Sequence, residues 1–200
     1  PDWGSYYTKL FTHATGLGAS YEARTGISEV IDDTIPHYSF STELNNHLFV
    51  SGCYHSDIDD TSNYLFKSRP YNYNQFNYIN DFLILPIYPT AMASFNNRIF
   101  IFNNNNILRI EPNSLYVESS FKGIGCLGQD SVLVTEYGMC FADEHGIYLH
   151  DGQKPNNISI PILRGDSVYS WENIDSSFVP KIAFNNYNKS FLITFKTFAS

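Results

Sequence analysis

The sequence predicts an all-β protein, read as a β-propeller-like array of antiparallel sheets that forms a segment of a larger protein. Three observations point there. The apolar residues fall in short runs of four to six, rich in Phe, Tyr, Ile, Val and Leu, which is ordinary strand length. Polar clusters dominated by Asn separate these runs, and Asn closes turns with its own side chain and tolerates left-handed backbone. No stretch of ten or more residues keeps a 3.6-residue apolar period.

The elements follow in order. His47–Val50 reads as a strand with Asn63–Lys67 as its partner. Phe82–Leu85 is an apolar run stopped by Pro86. Ala91–Phe95 and Arg98–Phe102 face each other across Asn96-Asn97, and Asn106–Ile110 follows a second Asn turn. Leu115–Lys122 has the length of a short helical turn, weakened by Val117, Ser119 and Ser120. Ser131–Glu136, Met139–Ala142 and Gly146–His150 form a third set, broken at Tyr137-Gly138 and at Glu144–Gly146. Lys181–Phe184 and Ser190–Phe195 form a fourth across Asn185–Lys189.

The sets recur. Leu48-Phe49-Val50, Ile99-Phe100-Ile101, Met139-Cys140-Phe141 and Phe191-Leu192-Ile193 align, each after a short polar turn. Their separations are 51, 40 and 52 residues, a mean of roughly 48, in the range of four-stranded propeller blades. On this reading residues 1–40 are a lead-in, at most a partial blade, and residues 41–200 carry the blades as one incomplete domain. The chain begins at Pro1 and its last run reaches Ser200, so both ends read as cut from a longer sequence.

Composition narrows the function. The chain is 200 residues long with 43% hydrophobic, 16% aromatic and only 16% charged residues, which argues against intrinsic disorder. Its net charge of -8, with twelve scattered basic residues, opposes tight binding to phosphate backbones. No apolar run is long enough to span a membrane as a helix. Cys53, Cys126 and Cys140 are odd in number and lack CxxC spacing, so they read as buried thiols rather than a disulfide framework or zinc site.

Each candidate site also has a plain structural role. Asp57, Asp59, Asp60 and Asn63 alternate like the start of a calcium loop. Ser62 replaces the turn glycine and Ser68 the terminal glutamate, so a solvated hairpin loop is expected. Gly123-Ile124-Gly125-Cys126-Leu127-Gly128 matches a dinucleotide fingerprint but is followed by β-branched residues, not a helix. Arg164-Gly165-Asp166 spells an adhesion tripeptide, and Gly165-Asp166-Ser167 a hydrolase fragment, both too short to carry a function. His13, His37, His47, His55, His145 and His150 are dispersed, and Cys53 with His55 supplies only two ligands. Glu111 with Glu118, or Asp143 with Glu144, would need a fixed separation across a cleft to act as glycosidase carboxylates. Asn157-Ile158-Ser159 and Asn188-Lys189-Ser190 are sequons of the kind an Asn-rich chain produces by chance. Tyr71–Tyr78 interleaves aromatics with amides, which suits base or sugar stacking, or packing against a neighbouring subunit. No catalytic, cofactor or metal residue is assigned.

The segment Gly125-Cys126, Ser131-Val132, Tyr137-Gly138, Gly146-Ile147-Tyr148 and Asp151-Gly152 resembles propeller blades of bacteriophage tail proteins. So do Pro86-Ile87 leading to Asn97–Phe102 and Ile107–Ile110, and Leu48–Ser51 followed by Tyr64–Phe66 and Ser68-Arg69-Pro70. Together they cover about two thirds of the chain. The likeness is to the tail nozzle and tube-end proteins of short-tailed phages. It implies a non-enzymatic virion component, assembled in the host cytoplasm. Copies would form a ring, contact neighbouring tail or adaptor proteins, and let double-stranded DNA pass during genome ejection. The residues carrying the resemblance have structural work of their own. Gly138, Gly146 and Gly152 are expected at positive φ, and Phe141 and Tyr148 between adjacent sheets. The alternative is a secreted glycan-binding or glycan-cleaving propeller, which would gather acids and Trp at one rim; Trp3 and Trp171 do not show that. A Kelch-type cytoplasmic partner-binding propeller would need paired-glycine signatures that are missing.

Overall fold

The computed structural model describes residues 30–31, 37–54, 62–77, 80–159, 170–175 and 177–197. Among these the protein is all-β: several antiparallel sheets with two 3-10 turns and no α-helix. It divides into two compact units, Pro1–Tyr88 and Pro89–Ser200.

In the first unit, β2 (His37–Leu44), β3 (His47–Tyr54) and β4 (Tyr64–Arg69) form an antiparallel meander beyond a short β1 (Val30–Ile31). β2 runs through residue 40, the boundary drawn between lead-in and array. The β2–β3 turn is two residues long, with Asn45 and Asn46 at φ of 52° and 63°. Two successive positive φ values give the hairpin turn whose twist matches its strands. The outer edge of β4 is shared. Tyr64, Leu65 and Phe66 pair with β6 (Phe82–Ile84), whereas Ser68 and Arg69 pair with β5 (Asn72–Phe76), which pairs in turn with β1. The sheet therefore has six strands in the order β1-β5-β4-β3-β2, with β6 pairing β4 off this path. Phe49, Val50, Cys53, Leu65 and Phe66 are among its buried apolar residues, with Leu85 just beyond β6.

The second unit holds two four-stranded meanders and a hairpin. The first comprises β7 (Ala91–Phe95), β8 (Arg98–Phe102), β9 (Asn106–Glu111) and β10 (Tyr116–Lys122). The second comprises β11 (Val132–Thr135), β12 (Gly138–Asp143), β13 (Gly146–His150) and β14 (Pro155–Asn157). The hairpin joins β15 (Lys181–Asn185) to β16 (Ser190–Thr194). Residues 115–122 are not helical. Leu115 ends the turn at φ 50°, and Tyr116–Lys122 pairs with β9. Val117 and Phe121 gain an apolar partner strand, and that outweighs weak helix propensity.

Packing explains the sequence pattern. One apolar cluster joins the two meanders: Ala91, Ala93, Phe100, Phe102 and Ile107 on one side meet Val132, Met139, Phe141 and Tyr148 on the other. Phe102 and Phe141 lie 5.2 Å apart between ring centres, and Phe141 stacks on Tyr148 at 5.4 Å. A second cluster covers the opposite face of β11–β14, where Cys140, Ala142 and Ile147 meet Trp171, Ile174, Ile182, Phe191 and Ile193. Every residue of β12 is buried. A strand covered on both faces loses the polar alternation of an ordinary antiparallel strand, which is why Met139–Ala142 reads as a continuous apolar run. The four aligned triplets also fall at equivalent places. They lie in β3, β8, β12 and β16, each paired antiparallel with the strand that precedes it in sequence.

Candidate functional site

The first strands of the second unit adjoin one another, with β11 beside both β7 and β15. Side chains make many of the ties between them. The Gln129 amide acts as a surrogate strand: its Oε1 accepts from Met92 N (2.9 Å) and its Nε2 donates to Met92 O (3.0 Å). Asp130 pairs with Lys181 at 3.1 Å, and the Ser131 hydroxyl donates to the Pro180 carbonyl. Gln129 and its neighbours form a 3-10 turn at the entrance to β11. At Met92 a side-chain amide thus takes the place of a neighbouring strand on the edge of β7.

Between β11 and β15 lies an open groove of about 330 Å³, lined by Leu133, Val134, Thr135, Glu136, Phe184 and Asn186. At its rim Lys189 binds Glu136 at 2.8 Å and holds that carboxyl below its ordinary range. Tyr137 rests against Phe184 at 5.6 Å, and Tyr187 at the tip of the β15–β16 hairpin is 98% exposed. Among the described lining residues Glu136 is the one carboxylate, and it is committed to Lys189. The groove offers aromatic surface, an amide and hydrogen-bonding main chain: the means to hold a ligand. The paired carboxylates that cleave a glycosidic bond are not assembled among these residues.

The sequence candidates are placed as follows. Asp57, Asp59, Asp60, His13, His55, Trp3, Tyr78 and the stretch Arg164–Ser167 lie outside the described residues, as does the side chain of His37. Asn63 binds the Leu85 carbonyl and so joins β4 to the end of β6. Among the described residues no three His, Cys, Asp or Glu side chains gather as a metal site. Gly123–Gly128 is the link between the two meanders and leads to the 3-10 turn and β11, not to a helix.

Cys53, Cys126 and Cys140 are buried, and burial pushes the thiols of Cys126 and Cys140 up to about 12, so both are protonated and unreactive at neutral pH. Glu118 is not a partner of Glu111. It bridges Arg98 (2.8 Å) and Arg109 (2.9 Å), while Glu111 accepts from Ser114 N and Asn113 and caps its own turn. In Tyr71–Tyr78, Tyr71 and Tyr73 are exposed beside the β2–β3 turn, whereas Phe76 is buried. Tyr71 accepts from Asn46 Nδ2 at 3.1 Å, which fixes the turn at Pro70-Tyr71 to its neighbour. The Asn157 side chain accepts from the Ser159 main chain and hydroxyl, whereas Asn188 is exposed.

Gly138 and Gly152 have the expected positive φ, 135° and 106°. Gly146 does not. A Cβ there would lie 2.5 Å from Ser159 Oγ, so space rather than backbone geometry requires glycine.

Two residues considered in the sequence for other roles, Asp143 and His150, are polar centres of the packing. Asp143 is buried, and burial raises its carboxyl pKa despite three donors, the N–H groups of Gly125, His145 and Gly146. Its carbonyl accepts from Trp171 Nε1 at 2.9 Å, so this one residue ties a hairpin, the inter-sheet link and the neighbouring 3-10 turn. The signal was present in Asp143-Glu144-His145-Gly146, a turn that Asp closes with its own side chain. The second is His150, fully buried among the rings of Phe95, Phe100 and Phe121. Its Nδ1 accepts from Gly152 N at 2.9 Å, which places the proton on Nε2. Nothing in the local sequence marks that cage, because its three phenylalanines come from other strands.

No family model matches the chain, and a search of curated proteins returns no match.

Proposed function

We propose that this protein is a non-enzymatic structural component of a phage tail, a propeller segment in the nozzle or an adjoining collar, with copies arranged in a ring around a DNA conduit. The observation that carries the reading is the sheet β11–β14, buried on one face by β7–β10 and on the other by β15–β16 with the Trp171 turn. Blades require this burial on both faces. The adjoining first strands and the equivalent position of the four triplets support radial repetition of one unit. The tail assignment itself rests on the likeness of the turn and strand residues to nozzle blades.

Surface chemistry supports the same reading. Exposed large residues include Tyr38, Tyr71, Tyr88, Tyr116 and Tyr187. Tyrosine anchors suit extensive contact with neighbouring subunits. The net charge of -8 repels the DNA phosphates and lets a genome pass without adhering. Light scattering on the purified protein, followed by electron microscopy, tests this: a closed ring with no retention of double-stranded DNA at physiological salt is expected. A persistent monomer, or firm DNA retention, refutes it.

The groove beside Tyr137 and Phe184 favours one second reading, a glycan-binding propeller. A glycan array separates the two, since this reading requires binding that Tyr137→Ala abolishes.

A further inference from the structure

β11 and β15 lie beside one another without joining into one sheet, and the groove between them is tied at both ends. The two ends are tied differently. At the base the fully buried Ser131 hydroxyl donates to the Pro180 carbonyl, and Asp130 pairs with Lys181. There too Val179 packs so closely on Gly128 that a Cβ on the glycine would lie 2.8 Å from its Cγ1. At the tip two contacts join the β11–β12 turn to the β15–β16 turn. Lys189 binds Glu136 at 2.8 Å with side chains 50% and 60% exposed, and the half-exposed Tyr137 rests against Phe184.

The backbone of Lys189 gives an independent reason to single out that ion pair. Its φ is 53°, in the left-handed region where Asn is best tolerated among side-chain-bearing residues. Seven non-glycine residues have positive φ among the described residues, and four of them are Asn. Each of the other three makes a contact that the short Asn side chain would not. Leu115 is buried in the core, the Tyr71 hydroxyl accepts from Asn46, and Lys189 reaches Glu136. Backbone comfort at residue 189 is given up for an ammonium in that place.

The pair is ionised at neutral pH. Lys189 and the neighbouring Tyr137 hold the Glu136 carboxyl below its ordinary range, and Glu136 raises the Lys189 ammonium. An exposed pair is weak and is screened by salt, whereas a buried hydroxyl–carbonyl bond is not. One end of the groove is therefore fixed and the other is readily released.

We propose that Glu136 and Lys189 form a latch on this groove. Closed, it holds the β15–β16 tip against the β11–β12 turn and sets the groove's width. Released, the tip swings away about its anchored base and uncovers Leu133, Val134 and Phe184. The inference rests on neither the tail assignment nor the glycan reading, because the latch controls access to the groove whatever occupies it.

The test follows amide hydrogen exchange, residue by residue, in the whole 200-residue chain at low salt and in about 1 M sodium chloride. Salt, Glu136→Gln and Lys189→Gln should each speed exchange at residues 184–190 about two- to fivefold. Exchange at residues 181–183 and 192–194 should stay as it was, and salt should add nothing at the tip of either variant. Glu136→Lys combined with Lys189→Glu should restore the wild-type rates. Nile red, a neutral apolar dye, should gain fluorescence at least twofold in the two single variants, with unchanged Trp fluorescence as the check on folding. Tip exchange that neither salt nor substitution alters overturns the proposal. So does acceleration spread evenly to the base, which is loss of stability rather than a hinge, or a charge swap that restores nothing. A dye signal that stays flat while the tip exchanges faster also overturns it, since the groove then does not open.

Discussion

His150 makes the β7–β10 and β11–β14 interface sensitive to acid. The ring is fully buried, with Phe100 at 5.0 Å, Phe121 at 5.7 Å and Phe95 at 6.3 Å between ring centres. Burial lowers its pKa, Arg109 on β9 lowers it further, and only Asp151 opposes them. Protonation at Nδ1 would also set one N–H against another at Gly152, and Nε2–H has no acceptor. The folded protein therefore refuses a proton that the unfolded chain takes up near pH 6.5. Stability is complete above that value and falls as the pH drops toward the folded pKa. The slope is at most about 1.4 kcal/mol per pH unit, which is appreciable against a stability of about 5–15 kcal/mol.

The perturbations are His150→Leu, which keeps the bulk, and His150→Asn, whose Oδ1 replaces the Nδ1 acceptor. The assay is urea unfolding followed through Trp fluorescence at several pH values from 7.5 to 5. Both variants are expected to be less stable than the wild type at pH 7.5 and to lose its slope over that range. A wild-type slope preserved in both variants would refute the reasoning.

Four further outcomes follow from contacts already described. Glu118→Gln should cost about 1 kcal/mol and reduce the salt sensitivity of urea unfolding, because Glu118 ties Arg98 on β8 to Arg109 on β9. The two guanidinium groups hold the Glu118 carboxyl below its usual range, so this stability is present above pH ~4.5 and vanishes as acid titrates the folded form. Phe102→Ala should cost about 3–5 kcal/mol in the same assay, against no measurable change for Tyr187→Ala, since Phe102 is fully buried against Phe141 and Tyr187 is on the surface. Asn97, at φ 56°, should accept Gly with little change in thermal midpoint, whereas Asn97→Val should cost about 1–2 kcal/mol through left-handed strain. Asp143→Asn should cost about 1–2 kcal/mol by calorimetry, because one of the oxygens that accept from Gly125, His145 and Gly146 becomes a donor.

Strands bounded by Asn or Gly turns were legible because local chemistry decides them. Ala91–Phe95 and Arg98–Phe102 lie where the apolar runs placed them, since Asn96-Asn97 permits little except a two-residue turn. β2, β5, β10 and β14 were not legible. Their sequences alternate irregularly (His-Tyr-Ser-Phe-Ser-Thr-Glu-Leu, Asn-Tyr-Asn-Gln-Phe), and a neighbouring strand supplies the order their own propensities lack. The triplets were legible for a related reason: in β3, β8 and β12 the strand lies inside its sheet and is largely buried, whereas in β16 it is an edge strand that keeps Leu192 exposed. The groove between β11 and β15 was invisible for the opposite reason: Glu136 and Phe184 meet only through the order of whole sheets.

Architecture also accounts for the composition. When sheets cover one another on both faces, little strand surface remains for charged side chains, and the chain carries 16% of them. Polar work moves to the turns, where the backbone must reverse in a few residues without exposing its N–H groups. Asn does this in two ways. Asn45, Asn46, Asn96 and Asn97 occupy positive φ, and Asn103, Asn157 and Asn185 accept main-chain N–H bonds two residues onward. Twenty asparagines in 200 residues are therefore a consequence of many short strands closed by tight turns, rather than a mark of disorder or of glycosylation.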